Sequence, residues 1–335
     1  MSGSEFWDSE VIERTHSSWM ESLQVRHYIN EQISGDPGVW PLEWFQRLLE
    51  GRTFDCALSI GCGTGELERS LMKLGLCRRI DAFDASVTSI AVAASAARDA
   101  GIDDAVRYFV SDFNKPALPR SAYDAVFFHQ SLHHVAKLEK LLRSVLATLK
   151  PDGVVYLEEF IGPSRNHWTE ETVAPYQPLY EHFPESMRFF DYMPFPVEFG
   201  DLSEAVRSAD IVPQLRVGFE IDHIRGYGGS VLSVLFPALV PEKITPEMVT
   251  WMLERDREAT RAGRPHFYAV IVAHPKKKQI VATARYFVEP KIKWVLRRIR
   301  SIFVPASPPM YRKRTLLQPS REQQRGQDAG KMRQP

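Results

Sequence analysis

Cysteine is scarce, with three residues in a chain of 335. Cys56, Cys62 and Cys77 are odd in number and have neither metal-ligand nor Cys-x-x-Cys spacing, so reduced, packed thiols are expected and a disulfide framework is not. No apolar run approaches membrane-spanning length. The opening residues, Met1 to Asp8, are polar and acidic without an apolar h-region, so a soluble cytoplasmic protein is expected. Neither sign of charge dominates: Lys plus Arg number 42 and Asp plus Glu 42. Bulk electrostatics therefore implies no nucleic-acid or acidic partner. What is present is a 44% hydrophobic chain, enough for one large α/β domain with elaborations or for two domains.

The most informative stretch is Cys56-Ala-Leu-Ser-Ile-Gly-Cys-Gly-Thr-Gly65, followed by Glu66, Leu67, Glu68, Arg69, Ser70, Leu71 and Met72 at helical spacing. This pattern predicts a buried strand, a glycine turn and a helix. Glycines at alternate positions let the backbone take positive φ and approach a ligand closely. A dinucleotide fingerprint would place a third glycine where Glu66 stands and would seat pyrophosphate on the helix N-terminus. Glu66 and Glu68 satisfy that helix dipole themselves and repel a diphosphate. The turn suits a ligand with no phosphate and a cationic centre.

Leu58-Ser-Ile-Gly-Cys-Gly-Thr-Gly65 resembles motif I of the class I S-adenosylmethionine-dependent methyltransferases, of the bacterial type 11/25-like group. The resemblance implies a Rossmann-like α/β fold: a seven-stranded, mostly parallel sheet of order 3-2-1-4-5-7-6 with helices on both faces. It implies S-adenosylmethionine held by Gly61, Cys62, Gly63 and Gly65, with Asp84, Ala85, Asp112, Phe113 and His129 completing the cofactor set. The residues agree. Asp84 ends the second expected strand, Arg79 to Asp84, where a carboxylate about 20 residues past the turn can accept ribose hydroxyls. Asp81 lies deeper and reads as structural. After a third strand, Arg107 to Val110, the resemblance gives Asp112 and Phe113 to adenine; the bland reading of Asp112 is an Asx-turn.

Tyr123 to Phe128 reads as a central buried strand running into His129-Gln-Ser-Leu-His-His-Val135. Adjacent His133 and His134 at a helix start are expected to point about 100° apart, too far to share an ion. No metal is expected. A Leu-His-His-Val run is common in the resembling family whatever the acceptor, which suggests packing and hydrogen bonding. A helix over Leu138 to Leu149, a Lys150-Pro-Asp-Gly153 turn and a fifth strand over Val154 to Phe160 follow. Consecutive Glu158 and Glu159 face opposite ways, so at most one enters the cleft. With Arg165 this end of the sheet is the expected acceptor contact, and Glu159 or His133 is the candidate base for a hydroxyl acceptor. Glu159 to Trp168, Glu204 to Ser208 and Tyr227-Gly-Gly229 are similar to segments of a bacterial subgroup of the same family.

Five parts are expected: a helical cap over 1–50 and a methyltransferase domain over 51–275, a proline- and aromatic-rich lid at about 163–200 within it, a basic amphipathic segment over 276–304 and a disordered tail over 305–335. The cap tryptophans can pack the sheet edge or cover the sulfonium by cation–π attraction. Arg216 to Arg225 reads as a sixth strand, Val231 to Leu239 and Pro246 to Arg261 as helices, and Phe267 to Ala273 as the last strand. The stripe within 291–304 can lie on an anionic membrane surface or dock on the protein itself. The expected reaction is in-line methyl transfer to a small-molecule or glycan acceptor, with O-methylation foremost. A silent S-adenosylmethionine-binding subunit and an NAD-dependent oxidoreductase are the alternatives.

Overall fold

The computed structural model describes residues 19–115, 117–197 and 201–276. The start of the cap, the end of the lid at 198–200, the basic segment beyond Lys276 and the expected tail fall outside the described residues. In chain order the longer elements are α1 (Leu23–Ser34), α2 (Pro41–Leu48), β1 (Ala57–Ile60), α3 (Glu66–Lys73), β2 (Ile80–Asp84), α4 (Val87–Asp99), β3 (Val106–Val110) and β4 (Tyr123–His129). There follow α5 (Leu138–Thr148), β5 (Leu149–Phe160), α6 (Ile211–Gly218), β6 (Phe219–Gly226), α7 (Pro246–Arg261) and β7 (Tyr268–Pro275).

The seven strands lie in the order β3-β2-β1-β4-β5-β7-β6, the order the resemblance implies. β1 pairs in parallel with both β2 and β4, and β7 runs antiparallel between β5 and β6. Strand order therefore reverses beside β1, and in open α/β sheets ligands bind in the crevice outside the carboxyl ends of the strands at that point. The glycine turn follows β1 and the histidine segment follows β4, so both reach this crevice.

Alternation along the strands builds two cores. Phe127 and Tyr156 face a layer that includes Phe45 of α2, whereas Val126, Phe128, Val155 and Leu157 face Leu141, Leu142 and Val145 of α5 and Leu215 of α6. The cap belongs to the first layer. Trp19 lies 5.2 Å from the Tyr268 ring, Trp44 5.8 Å from His223 and Phe45 4.8 Å from Tyr156, centroid to centroid. Trp19 and Trp44 are thus core residues.

Three boundaries differ from those read in the sequence. The expected turn Lys150–Gly153 belongs to β5, which bulges against β4 between the Tyr123↔Leu149 and Ala125↔Val154 pairs. A bulge at a strand's start accommodates both Pro151 and Gly153. Arg216 to Gly218 close helix α6 and do not open β6, because Ile211 and Leu215 bury one helical face. The helix expected over Val231 to Leu239 is α-helical only at Leu232–Leu235 and tightens into a 3₁₀ turn at Phe236–Ala238, where Pro237 carries no N–H.

Asp81 is structural, as expected. It accepts from Arg107 Nε at 3.0 Å and Nη2 at 2.8 Å and from the Tyr123 hydroxyl at 2.8 Å, lacing β3, β2 and β4. A second anchor was not legible. Fully buried Asp256 of α7 accepts from the amides of Gly229 and Val231, each at 2.8 Å, and from the Tyr28 hydroxyl at 3.2 Å. Close approaches explain the Gly228-Gly229 pair: a Cβ at Gly228 would stand 2.0 Å from Asp256 Oδ2, and one at Gly229 2.5 Å from Tyr268 Cδ2.

Candidate active site

Gly61, Gly63 and Gly65 all take positive φ, at 71°, 51° and 80°, so the turn uses the left-handed region at each. They differ in what surrounds them. A Cβ on Gly61 would stand 2.4 Å from Ser131 Cβ, and one on Gly65 would stand 2.6 Å from the Tyr108 hydroxyl. A Cβ on Gly63 would meet nothing within 4 Å. Two glycines allow the chain to pack on itself, and the middle one faces free space.

Asp84 borders that space at the tip of β2. Its Oδ2 accepts from the Gly63 amide and its Oδ1 from the Ser86 amide, both at 2.9 Å. Each oxygen keeps a lone pair for a further donor. Cys62 lies in the loop, but burial pushes its thiol well above the ordinary range, with Glu68 and Asp84 adding to the effect. It is not poised as a nucleophile.

Glu68 is not the surface charge its position suggests. It is fully buried and neither carboxylate oxygen has a hydrogen-bond partner. Burial raises its carboxyl to about 7, with the nearby Ser59 hydroxyl only partly opposing the shift. Glu66, by contrast, is exposed at the start of α3.

Asp112 and Phe113 follow β3. Asp112 Oδ1 accepts from the Asn114 amide at 2.8 Å, which is an Asx-turn, and Oδ2 lies 3.3 Å from Lys115 Nζ. Phe113 packs against the second core layer. Ala85 lies between Asp84 and Ser86, the N-cap of α4. His129 at the tip of β4 is partly exposed, with Nε2 3.8 Å from Glu158 Oε1. Burial alone would lower its imidazolium, but Glu158 outweighs burial and raises it. Gln130 next to it takes positive φ, 50°, a strained turn at the crevice.

Glu158 and Glu159 do diverge, and both are buried. Glu159 is fully engaged. Oε1 accepts from the amides of Ser131 and Leu132, each at 2.6 Å, and Oε2 lies 2.8 Å from His133 Nδ1. His133 is flanked on its other nitrogen by Glu204, 3.6 Å from Nε2. Burial would lower His133, but Glu204 and Glu159 together outweigh it and push it up to about 10.

The expectation that His133 and His134 diverge is overturned. They occupy the 3₁₀ turn Leu132–His134, and their rings lie 4.1 Å apart. Both present Nε2 to Glu204 Oε2, His134 at 3.5 Å. The reason is partner choice at Nδ1: Glu159 turns one ring, while Ser203 at 3.2 Å and Asp201 at 3.3 Å turn the other. Arg165 also bears on this corner. Its amide donates to Ala205 at 2.8 Å and its Nη1 to the Asp201 carbonyl at 2.9 Å, bracketing the turn that carries Glu204.

The insertion expected as a lid is tied to the chain after β6: Tyr176 donates to the Ser230 carbonyl at 2.8 Å and Tyr180 to the Ala238 carbonyl at 3.0 Å. It holds an open cavity of about 530 Å³ lined by residues including Val173, Gln177, Tyr192 and Met193. No lining residue comes from the glycine turn or the strand tips, so this cavity is separate from the crevice.

Residues 58–157 match the family described as a methyltransferase domain. Residues 58–157 thus carry a methyltransferase domain, on a sheet whose strand order is the one expected of the class I S-adenosylmethionine-dependent fold. Among similar proteins are the ubiquinone/menaquinone biosynthesis C-methyltransferase UbiE of Pseudomonas aeruginosa, 29% identical over 116 residues, covering 34% of this chain and 45% of that protein. Another is the 27-O-demethylrifamycin SV methyltransferase of Amycolatopsis mediterranei, 27% identical over 151 residues, covering 43% and 53%. The chain thus spans about half the length of these curated relatives. Among solved structures, the geranyl diphosphate C-methyltransferase of Streptomyces coelicolor A3(2) is 15% identical with a TM-score of 0.46, covering 81% of this chain and 95% of that one.

Proposed function

We propose that the chain transfers the methyl group of S-adenosylmethionine to an oxygen of a small-molecule acceptor. The observation that carries this reading is the free space before Gly63, bordered by an Asp84 carboxylate that two backbone amides hold in place. In this reading Asp84 takes the ribose hydroxyls and the loop from Gly61 to Gly65 approaches the methionine portion. Asp112 receives the adenine amine through Oδ2, and Phe113, Ala85 and His129 complete the wall.

The chemistry asks little of covalent catalysis. The acceptor hydroxyl attacks the methyl carbon in line with the departing sulfur and passes its proton to solvent, the C–S bond breaks as the C–O bond forms, and sulfur leaves as a neutral thioether. Alignment in a dry site supplies much of such a barrier reduction. Glu159 and His133 fit positioning roles better than that of a free base: Glu159 has both oxygens engaged, and His133 is held between Glu159 and Glu204. Arg165 acts by holding the Asp201–Ala205 turn. In this reading the described part of the insertion borders the acceptor side through Arg165, while its own cavity lies apart from the crevice.

The test is mass spectrometry of a small-molecule extract incubated with the protein and deuterated-methyl cofactor. A product heavier by one labelled methyl group, on oxygen, is the expected result. Cofactor binding without labelled product would instead favour the silent subunit, and a label on carbon would correct the element.

A further inference from the structure

Beyond that reading, we propose that His133, His134 and Glu204 form a binding site for a divalent transition-metal ion at the acceptor side of the crevice. The three side chains each offer one ligand atom, and these atoms all lie within 4.8 Å of one another. Both imidazole Nε2 atoms sit 3.5–3.6 Å from one Glu204 oxygen. Ligand atoms about 2.1 Å from a tetrahedral ion stand about 3.4 Å apart, so the three need only a small closure to share one.

The surroundings are those a metal site requires. A ligating imidazole is usually held at its second nitrogen by a carboxylate or other acceptor, which fixes the tautomer and directs the lone pair. His133 Nδ1 is so held by Glu159 at 2.8 Å, and His134 Nδ1 by the Ser203 hydroxyl and Asp201 at 3.2 and 3.3 Å. Both histidines are buried, whereas Glu204 is about a third exposed, so the cluster opens on one side. Glu204 is presented by a turn held at positive φ by Ala205, 50°, a strained conformation in a non-glycine residue. Asp201 Oδ1 accepts from the Ser203 amide and hydroxyl, and Arg165 clamps the turn from the other side.

Two imidazoles and one carboxylate with an open side suit zinc, iron(II), cobalt or manganese, and the pattern of three protein ligands with one free position is that of catalytic sites. An acceptor oxygen could occupy the free position. There the ion would lower the pKa of a hydroxyl enough for it to give its proton to solvent, in place of the free base that neither Glu159 nor His133 supplies.

The test uses the untagged full-length chain, stripped with chelator and titrated with cobalt(II) chloride with no methyl donor present, so that its outcome is independent of the methyl-transfer reading. One equivalent of cobalt with visible d–d absorption, displaced by zinc, is the expected result. Glu204→Ala, at the exposed edge of the cluster, and His133→Gln should each weaken binding tenfold or more. If His133→Gln does not fold, Glu204→Ala decides alone. Absence of saturable absorption in the wild-type chain, or cobalt affinity within twofold of wild type in Glu204→Ala, would overturn the proposal.

Discussion

The amide of Gly63 donates to Asp84 Oδ2 across 2.9 Å, joining the turn after β1 to the tip of β2 at the point where strand order reverses. This bond ties the shape of the glycine turn to the orientation of the carboxylate, so a ligand that uses one uses both. Asp84→Asn keeps the geometry but removes the charge and one acceptor. It should weaken S-adenosylhomocysteine binding by about tenfold or more, the scale of one charge-assisted hydrogen bond, with little loss of thermal stability. Calorimetry alongside a thermal melt checks both halves.

Two neighbouring glycines should respond in opposite ways. Gly61→Ala drives a Cβ into Ser131 and should cost about 2 kcal/mol or more of stability. The Cβ of Gly63→Ala meets no atom within 4 Å and should cost only about 1–2 kcal/mol of stability through backbone strain, yet fill the space a ligand needs. Thermal melts should therefore single out Gly61→Ala. Titration with S-adenosylhomocysteine should single out Gly63→Ala.

Glu68 gives a pH dependence with a definite sign. Its carboxyl is raised from about 4.5 to about 7, so the folded state holds a proton that the unfolded state releases. Stability from this group is full below pH 4.5 and is lost as pH rises through 7, by about 3 kcal/mol in all. Glu68→Gln cannot ionise. It should melt near the wild-type temperature at pH 5 and above it at pH 8, read by circular dichroism.

Much of this molecule is legible in the sequence because its determinants are local. The turn from Gly61 to Gly65, the helix start at Glu66 and the carboxylate at Asp84 follow from spacing within one strand–turn–helix–strand unit. Asp81 and its structural role follow from alternation along β2. Glu68 had a signal too: it precedes Leu71 and Met72 by three and four residues, which places it on the apolar face of α3. The anchors made by distant partners left no trace. Tyr28 and Asp256 lie 228 positions apart, and the 3₁₀ turn bearing His133 and His134 is oriented by Glu159, Ser203 and Asp201 from elsewhere in the chain. Spacing between two adjacent histidines describes an isolated helix, whereas buried partners at Nδ1 decide where the rings point.

Asp256 should matter for stability alone. Asp256→Ala leaves the Gly229 and Val231 amides and the Tyr28 hydroxyl without an acceptor in a buried setting. A loss of about 3 kcal/mol or more is expected from such orphaned donors. Urea unfolding should show a lower midpoint with an unchanged slope. At temperatures where the variant remains folded, its affinity for S-adenosylhomocysteine should equal that of the wild type.

The most direct measurement is calorimetric titration of the full chain with S-adenosylhomocysteine and, separately, with NAD, repeated in Asp84→Lys. One site per chain for the methyl-donor product, abolished by the charge reversal, with no heat from NAD, is the predicted result. Saturable NAD binding, or an affinity for S-adenosylhomocysteine indifferent to the charge at position 84, would contradict it.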